Sequence, residues 1–531
     1  MPASKSSAFQ HGAKFLLGPI IGCLSVLTFV EQAQAIPVFA RKYGTSCITC
    51  HAGFPKLNGV GEAFRRNGYQ FPRDDELLVK DEPIPMGNEA YKEMWPNSIW
   101  PSDLPHLPPV ALRARLGYKQ FLNTPPGGHG EPAPPSTDFQ FPMDYSLLSA
   151  GTLGENISWY AGMVLAGKGG HGGGGHGGAG EGLEPELERL FVQFNNLFAW
   201  SEFEDDDGMR AGHRWMTLPP HAMNLRVGQF EPGVIAPWAS IHRQWGIAGR
   251  LPSVVSLNDS GFEGDIQNMN MFMLEPAQRG FELNGVVRQY NSYAFGLVNG
   301  NGSMGAWDNN TDVDFYFRVA RKWFGFPFDG VLGESQDDAG GGELSDLDPG
   351  MDFWREIQFE TGCFGYFGRN TVMVNREFQD VGVGGVPFEV VERVAMFGDK
   401  FQRVGFDSRW QFQDLDIFGV GYWGWNDAPG AELEDGDLEI FRDIELFTYF
   451  VEADYHCKPW LTTYARYESL QFNSNHFRAH KAVERAVVGA VFTVRSNMRI
   501  VTELVIDARG PNDEGEFSTN DAFTAMLDFA Y

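Results

Sequence analysis

From Leu112 onward the chain alternates. In LRARLGYKQF, Leu112, Ala114, Leu116 and Tyr118 hold one set of positions and Arg113, Arg115, Gly117 and Lys119 the other. VGFDSRWQF sets Val404, Phe406, Trp410 and Phe412 against Arg403, Asp407, Arg409 and Gln411. LFTYFVEADY sets Phe447, Tyr449, Val451, Ala453 and Tyr455 against Thr448, Glu452 and Asp454. A period of two with one apolar face predicts strands whose other face is wet. About sixteen such strands are predicted, near 111–122, 138–152, 157–167, 187–197, 224–231, 279–288, 292–300, 313–323, 353–365, 400–413, 417–426, 446–456, 460–472, 482–495, 498–508 and 520–531.

A soluble sandwich or barrel and a membrane barrel both satisfy this pattern. Three features favour the membrane. The polar face is rich in Arg, Lys, Asp and Glu, as a watery lumen requires; short turns alternate with long loops; and the chain ends on the strand DAFTAMLDFAY with an aromatic residue, Tyr531. The expected fold is therefore mainly β, an antiparallel outer-membrane β-barrel of about sixteen strands over 110–531. Parity places the short connections on the periplasmic side and the long ones, including KGGHGGGGHGGAGEG and APGAELEDGDLEIFRD, outside. Two acidic insertions, around 200–222 and 324–352, break this asymmetry and read as inserts or docking surfaces. The outside segment 232–277 is long enough to fold over or into the mouth.

The N-terminal part reads differently. Lys5 and Lys14 precede the apolar run FLLGPIIGCLSVLTFV, and Ala33-Gln34-Ala35 supplies a cleavage site, so 1–35 is a secretory signal peptide. IIGC only weakly resembles a lipoprotein box, because apolar residues continue beyond it, and Cys23 leaves with the signal. Residues 36–109 form a second, small domain, helical or irregular, with a short predicted helix in KLNGVGEAFRRNGY. Its apolar face is Leu57, Val60, Ala63 and Phe64, and Gly68 is its stop.

Within that domain stands CITCH, Cys47 to His51. Two thiols at this spacing can add to the two vinyl groups of a haem, and the histidine that follows is then held beneath the iron. The competing reading, a redox or zinc C-x-x-C, lacks a second ligand pair, because Cys363 and Cys457 are single and far apart. The pattern predicts one covalent haem c on Cys47 and Cys50 with His51 as proximal ligand. Met86, Met94 and His106 are the local candidates for the distal position, and a ligand from later in the chain is the alternative. Cys363 and Cys457 are expected not to be joined.

Charge narrows the partners. The 531 residues carry a net charge of -28, which excludes nucleic acid and suits cation attraction. His129, His171 and His176 lie in predicted outside loops, where they either capture metal ions or do nothing. Inward-facing Arg113, Arg115, Arg403 and Arg409 could hold haem propionates or a plug, or simply set pore selectivity.

CITCH just after a signal peptide, the following HAGFPKLNGVGEAFRRNGY and a barrel of porin size resemble the fused monohaem cytochrome-porin family of the outer membrane of iron-oxidising bacteria. Only the haem stretch is motif-specific. The resemblance implies haem on Cys47, Cys50 and His51, outer-membrane lipid around the barrel, and oxidation of extracellular Fe(II) with electrons passed inward. With a single C-x-x-C-H, the haem domain is expected to plug the lumen and hand electrons to a periplasmic c-type cytochrome or another soluble carrier. Two other readings stay open: a haem-gated or haem-sensing porin without net electron transfer, and an enzyme with an open haem site.

Overall fold

A computed structural model of the chain describes residues 38–72, 75–80, 84–85, 103–104, 109–122, 137–152, 156–167, 186–198, 218–235, 244–250, 274, 276–300, 310–331, 357–381, 387–428, 430–434, 437–473, 481–511, 517–519 and 521–531. The signal segment, Met86, Met94, His106, His129, His171, His176 and most of both acidic insertions lie outside these residues.

Sixteen antiparallel strands close into one barrel. They are β1 (Val110–Phe121), β2 (Thr137–Thr152), β3 (Ile157–Gly167), β4 (Glu186–Phe194), β5 (Asn224–Phe230), β6 (Gln278–Val287), β7 (Asn291–Val298) and β8 (Asp314–Phe324) in the first half. The second half is β9 (Ile357–Val381), β10 (Pro387–Phe412), β11 (Leu415–Asn426), β12 (Ile444–Lys458), β13 (Leu461–Asn473), β14 (Lys481–Arg495), β15 (Met498–Pro511) and β16 (Ala522–Ala530), the last preceded by the short segment Phe517–Thr519. Sequence neighbours are wall neighbours throughout, and the seam joins β16 to β1 with Ala530 opposite Arg113 and Ala522 opposite Phe121. Closure leaves no strand edge, which is the condition for a sheet to stand in hydrocarbon.

The wall is inside-out relative to a soluble protein. On β10, Val404, Phe406, Trp410 and Phe412 are exposed on the outer face at 46 to 60%, while Arg403, Asp407 and Gln411 are buried inside. On β12 the inner face carries Thr448, Phe450, Glu452 and Asp454, all at 0%, and Val451 and Tyr455 point out. Inner charges are held in pairs: Arg113 and Arg499 share Asp528, and Arg318 bridges Glu360 and Asp407. Pairing matters, because a buried charge without a partner costs several kcal/mol.

Two expectations need correction. Strands predicted at 353–365 and 400–413 are far longer, and β9 and β10 continue as a ladder to Val381 opposite Pro387. Their other neighbours stop earlier, at Phe367 on the β8 side and Phe401 on the β11 side, so this hairpin stands clear of the wall at the long-loop end. The stretch Val372-Met373-Val374-Asn375-Arg376-Glu377 does not alternate, because a ladder above the lipid has no apolar face to present. The expected outside loop APGAELEDGDLEIFRD also contains a small hairpin, Gly430–Glu434 with Asp437–Phe441.

Among the described residues, two segments that enter the lumen meet inside it, and Gly233–Ile235 lies inside as well. Residues 244–250 run inside it, where Glu503 accepts from the backbone N–H of Ile247 and Ala248 at 2.8 Å each, and Arg250 pairs with Glu452 at 3.0 Å. The segment expected over or in the mouth thus enters it. Residues 38–72 and 75–80 sit in the same lumen, beside the short turns. There Arg41 donates to the Val110 carbonyl (2.8 Å), Asn67 to the Asp329 carbonyl (3.0 Å), and Lys56 to Asp416 (2.7 Å) and Asp454. The two fillers touch: a Cβ on Gly53 would lie 2.5 Å from the Trp245 ring.

Lys56 is the buried latch between the N-terminal segment and the wall. Lys56→Met is expected to cost roughly 3–5 kcal/mol, because Asp454 is left without a cation and Asp416 keeps only Arg409. Limited proteolysis should then cut residues 38–109 away from a barrel that still migrates as folded before boiling. Cys363 and Cys457 are both free thiols. They stand on β9 and β12, three strand spacings or about 14 Å apart across the wall. No crosslink between them is expected in mass spectrometry of the non-reduced protein.

Candidate functional site

The site begins with a tight turn. Cys47–Thr49 is a single 3₁₀ turn, closed by the Cys50 N–H on the Cys47 carbonyl at 3.2 Å. In 3₁₀ geometry residues three apart eclipse each other, so both thiols reach one cavity. Burial, with the neighbouring Cys47, pushes the Cys50 thiol up to about 12, so it is a protonated thiol at neutral pH.

His51 opens a short hairpin, His51–Gly53 with Lys56–Leu57. Its Nδ1–H donates to the Pro55 carbonyl at 3.1 Å, which leaves the Nε2 lone pair available. Burial pushes the imidazole down to about 4, and it is neutral at pH 7. A neutral ring oriented by a backbone carbonyl is the state in which histidine binds a metal.

The helix Gly59–Arg66 supports the turn from behind, with Val60, Ala63 and Phe64 buried as the periodicity predicts. Its N-cap, Asn58, accepts from the Gly61 N–H at 2.9 Å and donates to the Ile48 and Thr49 carbonyls at 3.2 and 3.0 Å. Sequence reasoning missed Asn58, although an Asn directly before a helix is a cap signal. Gly61 is required for the approach, because a Cβ there would collide with the Cys50 carbonyl oxygen.

Cys47, Cys50 and His51 line a cavity of about 280 Å³ between this segment and the barrel wall. Phe39, Leu57, Phe64 and Tyr69 cover it from one side. Ala530, Ala111, Leu148, Tyr160, Phe191 and Phe230 cover it from the strands. Tyr69 stacks on Tyr160 at 5.6 Å and Tyr160 on Phe191 at 5.6 Å, which fastens the segment to the wall through rings. Two vicinal thiols, an imidazole with one free nitrogen and aromatic walls fit a covalently held haem.

The four arginines named from sequence separate. Arg113 lines the cavity, held bidentate by Asp528 at 2.9 and 2.8 Å. Arg115 pairs with Asp144, Arg403 donates to Asn426 at 2.8 Å, and Arg409 pairs with Asp416 at 2.9 Å, none of them at the cavity. Arg409 still bears on the N-terminal segment, because Asp416 is shared with Lys56. Arg65, Arg189 and Arg226 line the cavity and were not anticipated. Among the described residues lining it, His51 is the one imidazole and no methionine is present. No group of three or more His, Cys, Asp or Glu side chains placed for a metal ion occurs among the described residues.

A closed antiparallel barrel with an apolar exterior and a charged interior defines an outer-membrane β-barrel of the porin class, and the protein resides in the bacterial outer membrane. Similar solved structures include OmpT of Vibrio cholerae (9% identity, 80% of this chain and 96% of that chain, TM-score 0.43). Others are the channel DcaP of Acinetobacter baumannii (8%, 80% and 96%, 0.43) and the anion-selective porin from Comamonas acidovorans (10%, 80% and 98%, 0.41). No family model and no curated protein matches the chain.

Proposed function

We propose that the protein is an outer-membrane c-type cytochrome that carries electrons between an extracellular donor, Fe(II) by the family resemblance, and a soluble carrier in the periplasm. One observation supports this above the others: Cys47, Cys50 and a neutral His51 with a free Nε2 converge on one aromatic-walled cavity within the barrel. The thiols of Cys47 and Cys50 would tether haem c, and His51 would ligate its iron. Haem c supplies one-electron exchange between ferrous and ferric states.

The chain's own residues do the rest. Pro55 fixes the His51 tautomer, and Phe39, Phe64, Tyr69 and Tyr160 give the cavity aromatic walls. Ile48, between the two thiols, is 60% exposed, so the attachment turn faces solvent at the short-turn end, where a periplasmic carrier can reach it.

Anaerobic addition of Fe(II) to purified protein, followed in the visible spectrum, tests the reading. A low-spin pigment reduced by Fe(II) is the expected result. A pigment reduced by dithionite but not by Fe(II) removes iron as donor, and a colourless protein removes the reading altogether.

A further inference from the structure

The hairpin that carries His51 is too small to hold itself. It pairs His51 with Leu57 and Gly53 with Lys56, with an irregularity between the pairs. An isolated two-stranded hairpin is marginal in water even when longer, so what packs on this one imposes its shape. The returning strand is fixed through Lys56, whose ammonium group meets Asp416 and Asp454 of the wall and lies 4.6 Å from the centre of the Phe418 ring. At the tip, the Arg113 guanidinium lies over the Phe54 ring at 5.3 Å. The strand that begins with His51 has a different support, Trp245.

Trp245 belongs to the connection between β5 and β6, on the long-loop side of the barrel. It is 1% exposed, and its far edge lies against the backbone of Gly53, where an added Cβ would stand 2.5 Å from Cη2 and 3.1 Å from Cζ3. The residue is itself held firmly. Its carbonyl accepts from Arg499 at 2.9 Å, the next residues are held by Glu503, and the Ala248 carbonyl accepts from Arg466 at 2.9 Å. It shares an apolar cluster with Tyr464, Val487, Val491, Val501 and Met526, and the His456 ring stands edge-on to it at 6.0 Å. Among the described residues its indole N–H has no hydrogen-bond partner. Burying a donor unpaired is unfavourable, so the use of this side chain lies in the breadth of its ring and not in its polar edge.

We infer that Trp245 is a positioning residue for His51: pressed against Gly53, it sets the course of the strand that presents the imidazole. The inference rests on the proposed haem site. Pro55 fixes, from within the hairpin, which nitrogen is free, and Trp245 fixes, from outside it, where that nitrogen is aimed. A segment from the long-loop side of the barrel thus touches the ligand hairpin itself.

The experiment uses the haem-loaded, full-length protein, with every variant checked for covalent haem stain and barrel heat-modifiability. The readout is the ratio of low-spin to high-spin pigment in the visible spectrum. Trp245→Ala should keep the stain and lower that ratio about tenfold, the low end of the effect of losing a group that orients a metal ligand. Trp245→Phe should restore most of it. Val491→Ala, a truncation on β14 in the same apolar cluster, should leave it unchanged. A steric pair gives the independent check. Gly53→Ala drives a Cβ into the indole and should lower the ratio by itself, whereas Gly53→Ala combined with Trp245→Phe should recover it, because the smaller ring does not reach as far. An unchanged ratio in Trp245→Ala overturns the inference. So does an equal fall in Val491→Ala, which would make the effect one of general packing, or a double variant no better than Gly53→Ala. If Trp245→Ala does not assemble, the steric pair decides alone. Absence of covalent haem from the wild type is a different failure, that of the proposed function.

Discussion

Cys47→Ala and Cys50→Ala are expected each to leave a barrel of normal assembly whose covalent haem stain, read on a denaturing gel, is strongly reduced, with the double variant at background. His51→Ala should keep the stain and lose the low-spin spectrum. The split follows from geometry. The thiols are carried by a 3₁₀ turn whose hydrogen bonds, from Cys50 N–H to Cys47 and from Asn58 to Ile48 and Thr49, do not involve the thiol sulfurs. His51 contributes through its ring, held by Pro55. The barrel closes through β16 and β1, far in sequence from all three, and should survive. A wild type with no covalent stain, or a His51→Ala variant with an unchanged spectrum, would contradict these assignments.

The strands were legible in the sequence because lipid imposes a strict rule on every second residue. Trp410 and Phe412 must face out whatever the lumen holds, and 54% and 60% exposure records it. The thiol–thiol–imidazole group was equally plain, since its chemistry is local in sequence. What escaped was non-local or non-periodic. Lys56 meets Asp416 and Asp454 across 360 and 398 residues, and nothing in KLNGVGEA announces such partners. The length of 232–277 already allowed it to fold into the mouth, but that residues 244–250, QWGIAGR, enter, through backbone hydrogen bonds to Glu503, is something no hydrophobic pattern encodes. The arginines at the cavity were misassigned for a related reason. Alternation tells which residues face inward but not at which height or angle, and so it could not separate Arg113 and Arg226 from Arg115 and Arg403.

Liposomes containing the protein, with an oxidant sealed inside and Fe(II) or another impermeant reductant outside, are expected to show reduction of the internal oxidant without free leakage of small ions. An empty barrel of sixteen strands would pass ions readily. Here two segments occupy the lumen and meet where Gly53 packs against Trp245. The sequence holds one C-x-x-C-H, so no chain of haems can span an apolar band about 25 Å tall. A single cofactor can serve both faces only from within the lumen, which is where the cavity lies. Lys56→Met tests the seal, because release of the N-terminal segment should raise ion leakage and, with an outside reductant too bulky for the open pore, abolish reduction of the internal oxidant. If the wild type reduces the internal oxidant only when ions also pass freely, or not at all, the conduit reading fails and a haem-bearing pore takes its place.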